Sequence, residues 1–261
     1  MKTHPLKARF AAGGAAVGVI APNRDAVLAE TLGLLGFDFY MIDGEHGALS
    51  ASDAESLVRA CECVGMPPLA RIRSLDAKLI LQFLDAGVMG VMMPGLSRRD
   101  EVEALVQAVK YPPVGQRGLG PVRAANYMLA GTVQAEYVQS ANAHTLVLPQ
   151  IEDIAAVDAV ESLVTVPGVD GFILGPRDLA MSMGFIDGPK HPEVDAAIAR
   201  VVAAVRGAGL VVGTVAGTGA QARTLIAQGH QIVLTSAANL LSNASSAFLT
   251  DARTPAVEPR S

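Results

Sequence analysis

Short apolar runs alternate with longer helical patterns from one end of the chain to the other. The runs are rich in Val, Ile, Leu and Met and lack a regular alternation of apolar and polar residues, which is typical of parallel strands covered on both faces. A segment that can form a helix follows each run, so the pattern predicts repeated β–α units. The eight predicted strands lie near Ala16–Ile20, Phe37–Ile42, Pro68–Ile72, Met89–Met93, Thr145–Gln150, Asp170–Leu174, Leu210–Val215 and Gln231–Thr235.

The number of β–α units decides between two arrangements of an α/β chain. Eight parallel strands favour a closed (β/α)₈ TIM barrel over an open, doubly wound sheet. No linker, shift in composition or low-complexity tract divides the sequence, so residues 1–261 are predicted to form one domain. The last predicted helix, from about Ala237 to Leu249, precedes a polar tail at 251–261. It packs either on its own barrel or, exchanged, on a neighbouring subunit.

Composition and charge exclude several classes of protein. Apolar residues make up 51% of the chain and charged residues only 17%, which excludes a disordered or fibrous protein. The formal net charge is −5 and the basic residues are dispersed, which argues against nucleic acid or an anionic membrane as a partner. Every apolar run is interrupted before about 18 residues, so no membrane span is predicted. The N-terminus resembles a secretory signal only weakly, and we expect a cytoplasmic protein.

Polar residues follow four of the predicted strands. The active site of a (β/α)₈ barrel is built at the carboxyl ends of its strands, so these positions are the first candidates for chemistry. They comprise Asp43–His46 after the second strand, Arg71 and Arg73 at the third, Gln150–Asp153 at the fifth and Gly175–Asp178 after the sixth.

Glu152 and Asp178 form a candidate metal site. They lie 26 residues apart, about one β–α unit, which places them beyond adjacent strands whose axes are roughly 5 Å apart. Two carboxylates without His or Cys form a hard oxygen site that favours Mg²⁺ or Mn²⁺. The alternative is that both acids only begin helices, where the helix dipole favours negative charge.

His46 and Arg71 are candidates for acid–base and electrostatic roles. An exposed imidazole at the turn after the second strand can serve as a base, although a hydrogen-bonded loop histidine fits the same position. Arg71 is predicted to point into the top of the barrel, where its charge suits an enolate or a carboxylate. The alternative for Arg71 is a structural salt bridge with Asp43 or Glu45. Gly217–Gly219 is a weaker candidate for a phosphate cradle.

Taken together, these segments resemble the HpcH/HpaI family of metal-dependent pyruvate aldolases. The resemblance extends from about Val17 to Leu249. It rests on segments that occur in the family's order, namely Phe37–His46, the Gly- and Pro-rich loop Tyr111–Gly120, Gln150–Glu152, Val169–Leu179 and His191–Glu193.

The resemblance implies a role for each matching residue. Glu152 and Asp178 match the family's metal ligands, for which Mg²⁺, Mn²⁺ and Co²⁺ are the candidates. Gln150 matches a residue that contacts the bound keto acid, and the backbone at Arg177 and Asp178 matches the amides that hold the pyruvate carboxylate. Asp43 matches an acid close to the aldehyde-binding region.

The remaining implied roles concern the reaction itself. His46 matches the family's base, Arg71 the residue that stabilises the enolate, and Asp85 the acid that raises the basicity of that histidine. Asp85 falls late in the helix after the third strand and should therefore lie at the bottom of its own barrel. We expect either that a neighbouring subunit receives it or that its role here is structural. The resemblance also implies a homo-oligomer, commonly a hexamer.

Departures from the family pattern concern mostly the aldehyde half of the site. Arg177 stands where a small residue is usual, and Gly47–Ala48 replaces the usual residues after the histidine. Ile20 occupies a position where relatives often have Trp, and the chain contains no Trp. The identity of the aldehyde therefore stays open, whereas the residues for the metal and for pyruvate match.

These observations predict a class II aldolase that reversibly cleaves a 4-hydroxy-2-oxo acid to pyruvate and an aldehyde. A Schiff-base mechanism needs a lysine in the barrel, and no predicted strand contains one. One alternative is a lyase for acyl-CoA esters of the malyl- or citramalyl-CoA type, although no basic cluster for the CoA phosphates is evident. A second alternative is a barrel that binds a keto acid and a metal without turnover.

Overall fold

Eight parallel strands form a closed barrel in the computed structural model, which describes residues 5–254. The strands are β1 (Ala16–Ala21), β2 (Phe39–Gly44), β3 (Pro68–Ile72), β4 (Gly90–Met93), β5 (Leu146–Ile151), β6 (Gly171–Leu174), β7 (Val211–Val215) and β8 (Ile232–Ser236). They follow one another round the barrel in chain order, and β1 closes the ring by pairing with β8. The predicted (β/α)₈ TIM barrel is confirmed.

Helices connect the strands and cover the outside of the barrel. Several begin at a side-chain cap; for example, Asp153 accepts a hydrogen bond from the amide of Ala156 at 2.7 Å. A 3₁₀ segment spans Arg123–Met128. The helices are α1 (Pro5–Ala11), α2 (Ala26–Leu34), α3 (Ala51–Cys63), α4 (Ala77–Ala86), α5 (Arg99–Val109), α6 (Gln134–His144), α7 (Ile154–Asp158), α8 (Val160–Leu163), α9 (Pro176–Ser182), α10 (Pro192–Gly207), α11 (Gly219–Ala227) and α12 (Ala237–Arg253).

Alternation along each strand separates two hydrophobic cores. In β2, Phe39 and Met41 belong to the core inside the barrel, whereas Tyr40 and Ile42 pack in the larger core between the strands and the helices. Successive residues of a strand point to opposite faces. The next inward position after Met41 is therefore Asp43, so a charged group follows two apolar layers at the carboxyl end of the strand.

The same alternation selects the inward polar residues of two other strands. In β3 the inner core contains Leu69, and Arg71 is the next inward residue. In β5 it contains Leu146 and Leu148, which makes Gln150 the next. The apolar layers thus fill the lower and middle barrel, and the polar layer lies at its carboxyl end.

α1 closes the amino-terminal end of the barrel. Its buried Leu6 and Phe10 join the inner core. Lys7 pairs with Asp170 at 2.6 Å, and Asp170 also accepts a hydrogen bond from the amide of Val147 at 2.8 Å. β6 begins at Gly171, one residue later than predicted.

The connection between α5 and β5 lies at this amino-terminal end. Lys110 is buried there, and its Nζ donates hydrogen bonds to the carbonyl oxygens of Asn142 at 2.8 Å and Thr145 at 2.6 Å. Burial, together with nearby Lys7, lowers the pKa of Lys110 to about 8. This lysine is therefore engaged with backbone far from the carboxyl ends of the strands, where the polar layer lies.

α12 leaves the barrel surface soon after it begins. Ala237 is its one buried residue among those described, and every position from Leu241 to Thr254 is exposed, including Phe248. The exchange of this helix with a neighbouring subunit stays a prediction. Of the predicted polar tail, residues 251–253 belong to α12 and 255–261 lie outside the described residues. Within residues 5–254, no helix is long and apolar enough to cross a membrane.

Candidate active site

A buried ion pair joins β2 and β3 at the carboxyl end of the barrel. Asp43 and Arg71 are direct neighbours in the strand register. Arg71 Nε donates to Asp43 Oδ1 at 2.9 Å and Nη2 to Oδ2 at 2.7 Å, a bidentate arrangement. Only 5% of Asp43 and 8% of Arg71 are exposed, so both charges depend on each other for compensation. The structural salt bridge that the sequence left open for Arg71 is therefore present.

Asp43 also shapes the turn that contains His46. Its Oδ1 accepts hydrogen bonds from the backbone amides of Glu45 and His46, each at 3.2 Å. Burial acts to raise the pKa of Asp43, but the hydrogen bond and charge of Arg71 hold it below its usual range. Gly47 follows, where a Cβ would meet the carbonyl oxygen of Asp43 at 2.7 Å and that of Pro22 at 2.8 Å. The close approach of these loops requires glycine.

His46 is presented to solvent at the mouth of the barrel, with 64% of its side chain exposed. Its Nε2 lies 3.9 Å from Glu45 Oε2, and the same oxygen lies 3.1 Å from Nη1 of Arg71. Neither contact has hydrogen-bond geometry, and Glu45 Oε2 is buried with no hydrogen-bond partner in residues 5–254. Glu45 is thus in the site as well as Asp43. From the sequence, the specific role considered for Glu45 was a salt bridge with Arg71.

Glu152 lies at the carboxyl end of β5 with Gln150 beside it. Glu152 Oε1 accepts a hydrogen bond from the amide of Gly95 at 2.9 Å, and Gln150 Nε2 donates to Oε2. Burial, then the charges of Glu45 and Asp178, raise the pKa of Glu152 to about 7, against the opposing effects of the Gly95 amide and Arg71. Gln150 Oε1 is buried without a hydrogen-bond partner within the described chain.

Arg177 and Asp178 lie in the first turn of α9, and both are exposed. The turn approaches β5 closely at Gly175, where a Cβ would meet Gln150 Nε2 at 2.8 Å and Glu152 Cβ at 2.9 Å. Asp178 is near enough to Glu152 for its charge to raise the pKa of that carboxyl group. The structure therefore brings Glu152, Asp178 and Gln150 together, as the sequence predicted.

Asp85 is not in this group. It lies near the end of α4, at the amino-terminal end of the barrel, and its Oδ1 accepts a hydrogen bond from Nη2 of buried Arg117 at 3.0 Å. The Arg117 guanidinium also stacks on the ring of Tyr111, 4.5 Å from its centroid. Within one chain, Asp85 and His46 are at opposite ends of the barrel.

The loop after β7 uses its amides internally. Gln221 Oε1 accepts hydrogen bonds from the amides of Gly217 at 2.9 Å and Thr218 at 3.2 Å, and Thr218 in turn caps α11. These two donors are therefore not available to a phosphate. The phosphate cradle considered at Gly217–Gly219 has no support in this structure.

The donor set is suited to a hard divalent cation. Three carboxyl groups, Glu45, Glu152 and Asp178, lie near the guanidinium of Arg71, and burial together with the charges of Glu45 and Asp178 raises the pKa of Glu152. Positive charge there would relieve their repulsion. Among residues 5–254, however, no group of three or more His, Cys, Asp or Glu side chains is arranged to hold a metal ion alone. Solvent and substrate oxygens would have to complete the coordination.

Two features of the site are not evident from the sequence: the amide that holds Glu152, and the proximity of Glu45, itself in a candidate segment, to Glu152. The amide of Gly95, after β4, fixes one oxygen of Glu152; the Pro-Gly pair at 94–95 after a strand is its only sequence signal. The proximity of Glu45 to Glu152 depends on how strands far apart in the chain meet across the barrel.

Comparison with known proteins identifies the family of the chain. The family model described as HpcH/HpaI aldolase/citrate lyase matches residues 17–242. A 2-dehydro-3,6-dideoxy-6-sulfogluconate aldolase from Pseudomonas putida is 36% identical, over 83% of this chain and 84% of the relative. A hydroxypyruvate/pyruvate aldolase from Paraburkholderia phytofirmans is 36% identical, over 81% of this chain and 82% of the relative.

A solved structure shows the same fold over nearly the whole chain. A HpcH/HpaI aldolase/citrate lyase family protein from Burkholderia cenocepacia superposes with a TM-score of 0.90 and 34% identity, covering 97% of this chain and all of the other. The fold, the family match and the aldolases among the relatives agree. The chain is a carbon–carbon lyase that belongs to the HpcH/HpaI aldolase/citrate lyase family.

Proposed function

We propose that this chain is a divalent-metal-dependent aldolase that reversibly cleaves a 4-hydroxy-2-oxo acid to pyruvate and an aldehyde. The observation that carries the proposal is the arrangement at the carboxyl end of the barrel. Carboxylates for a cation, Glu152 and Asp178, lie on one side, and a buried guanidinium and an exposed imidazole, Arg71 and His46, lie on the other.

Glu152 and Asp178 are assigned to the cation, with Mg²⁺ and Mn²⁺ as the expected ions and Co²⁺ as a further candidate. When bound, the cation would supply a Lewis acid that polarises the 2-oxo group and its carboxylate. Gln150, which is buried and whose carbonyl oxygen has no hydrogen-bond partner among residues 5–254, would orient the oxo acid.

The backbone amides of Arg177 and Asp178 are assigned to the pyruvate carboxylate. In the first turn of a helix, backbone N–H groups have no partner within the helix and are free to bind a ligand. The small residue Gly175 brings this turn close to Gln150 and Glu152, so the same oxo acid can contact all three. Arg177 is exposed and extends this end of the site toward solvent.

Arg71 and His46 are assigned to the reacting carbons. Arg71 keeps its charge permanently and is held rigidly by Asp43, which suits the stabilisation of an enolate that forms on carbon–carbon cleavage. His46 would accept the proton of the C4 hydroxyl group on cleavage and exchange protons with the pyruvate methyl group. Its exposed ring leaves room for an aldehyde at the mouth.

Asp85 can take part in the reaction only if the protein forms an oligomer. Because its own chain places it at the other end of the barrel, we propose that it serves the His46 of a neighbouring subunit in a homo-oligomer, with a hexamer as the expected form. The exposed apolar residues of α12 support an oligomer, since Leu241 and Phe248 have no covering contact within residues 5–254.

Exchange of the pyruvate methyl protons tests the proposal without knowledge of the aldehyde. Purified protein is stripped with a chelator and incubated with pyruvate in deuterated water, and the methyl signal is followed by NMR with and without Mn²⁺ or Mg²⁺. We expect exchange only when a metal is present, and its loss in Glu152→Ala and Arg71→Ala. Absence of exchange with every metal would refute enolate chemistry on pyruvate.

A further inference from the structure

Glu45 has a buried carboxylate oxygen that lacks a hydrogen-bond donor among residues 5–254, and its charge acts on Glu152 of the proposed cation site. Its Oε2 is buried and accepts no hydrogen bond from any described residue, although it lies 3.1 Å from Arg71 Nη1. A buried acceptor without a donor is unfavourable unless water or a ligand satisfies it. The free oxygen therefore points to a donor that the protein chain itself does not supply.

The polar groups nearby do not donate a hydrogen bond to this oxygen. Arg71 donates through Nε and Nη2 to Asp43, so its hydrogen-bonding fork is taken, and Glu45 receives only the charge of Nη1. His46 Nε2 is 3.9 Å away, beyond hydrogen-bonding distance. Glu45 also repels the negative charge of Glu152 and thereby helps to raise the pKa of that carboxyl group.

We propose that Glu45 is a positioning residue for the cation, a role that rests on the proposed metal-dependent function. Its free oxygen accepts a hydrogen bond from a water molecule in the hydration shell of a cation held by Glu152 and Asp178. A hydrated divalent ion brings water O–H donors, which Glu45 lacks, and positive charge, which offsets the repulsion between Glu45 and Glu152. Because Glu45 also contacts Arg71, it sets the position of the cation relative to the guanidinium.

A direct ligand role for Glu45 is less consistent with the structure. Glu45 follows β2, whereas Glu152 and Asp178 follow the neighbouring strands β5 and β6. The three carboxyl groups interact through charge, but they do not form a group that could hold a metal among the described residues. A water molecule between Glu45 and the cation is consistent with the charge interaction of the three carboxyl groups and with the absence of a three-ligand group.

The test measures Mn²⁺ affinity directly by electron paramagnetic resonance, in which free Mn²⁺ gives the signal. Full-length wild type and Glu45→Gln are titrated with Mn²⁺ at one pH and ionic strength. We expect the Kd of the variant for Mn²⁺ to rise by about 10- to 100-fold, which is the usual effect of losing a residue that hydrogen-bonds to a metal ligand. Glu55→Gln is the matched control: it removes the same charge from α3, where Glu55 pairs with exposed Arg59, and should leave the Kd unchanged.

Glu45→Asp and thermal melts separate positioning from a structural role. We expect the aspartate variant to recover part of the Mn²⁺ affinity because it keeps the carboxylate, and metal-free Glu45→Gln to melt close to the Glu55→Gln control. Equal Mn²⁺ affinity of wild type and Glu45→Gln would overturn the role of Glu45 while leaving the metal-dependent aldolase intact. A wild type that binds no Mn²⁺ or Mg²⁺ would overturn both.

Discussion

Replacement of Asp43 by Asn removes the charge that compensates buried Arg71 while keeping the size of the side chain. The Asn carbonyl oxygen can still accept the amides of Glu45 and His46, which now bond to Asp43 Oδ1 at 3.2 Å. Its amide nitrogen, however, would face Arg71 Nη2, a donor, across the present 2.7 Å contact. The substitution therefore acts on the ion pair more than on the turn.

The size of the effect follows from burial. Removing one partner of a buried ion pair typically costs about 3–5 kcal/mol. Glu45 stays 3.1 Å from Arg71 Nη1 and compensates part of the charge, so we expect the lower end, about 3 kcal/mol. For a domain of this size that corresponds to a fall in melting temperature of about 6–12 °C.

Thermal melts followed by circular dichroism measure this difference at neutral pH, with Asp100→Asn as a matched control. Arg98 binds Asp100 through the same two-bond geometry, with both distances 2.9 Å, but on the exposed surface. Solvent screens such a pair, so the control should melt like wild type. If Asp43→Asn also melts like wild type, Arg71 does not depend on Asp43 and the argument from burial fails.

The pH dependence gives a second check of the same pair. The pKa of Asp43 is lower in the folded chain than the ordinary value of 3.8, so its ionised form stabilises the fold. This contribution is complete above the pKa of the unfolded chain and is lost as the pH falls through the lower, folded pKa. The melting temperatures of wild type and Asp43→Asn should thus differ by a constant amount near neutral pH and converge in acid below about pH 4.

Further substitutions test the rest of the site. Arg71→Lys keeps the charge but loses the fork, and we expect methyl exchange to slow by about 10²-fold, measured by NMR at saturating Mn²⁺; a rate like wild type would contradict this role. Gly175→Ala places a Cβ 2.8 Å from Gln150 Nε2, so we expect the KM for pyruvate to rise in initial-rate assays. Gly184→Ala is the control: its Cβ would meet open space, although the residue has a positive φ, and it should leave that KM unchanged. Removal of residues from Leu241 onward should lower the number of subunits per particle in sedimentation experiments. An unchanged number of subunits would show that α12 does not join them.

Much of the fold was determined by the sequence itself. The apolar runs indicated the number, order and direction of the strands, and the predicted run Pro68–Ile72 coincides with β3. Most of the other strands begin or end one or two residues away from the predicted positions. Because barrel strands carry their active site at the carboxyl end, the same pattern indicated Arg71, Gln150 and Glu152 as candidates.

Only the tertiary structure decided which of these residues meet. Glu45 and Glu152 lie more than a hundred positions apart in the chain, and their electrostatic interaction depends on how the closed barrel brings the ends of β2 and β5 near each other. Asp85 was expected from its place late in the helix to lie at the bottom of its own barrel, and α4 does take it there; its partner, buried Arg117, is evident only in the structure. Periodicity specifies which face of an element is buried, because burial repeats along that element. Contacts between distant β–α units depend on barrel closure and loop geometry, which a local pattern does not contain.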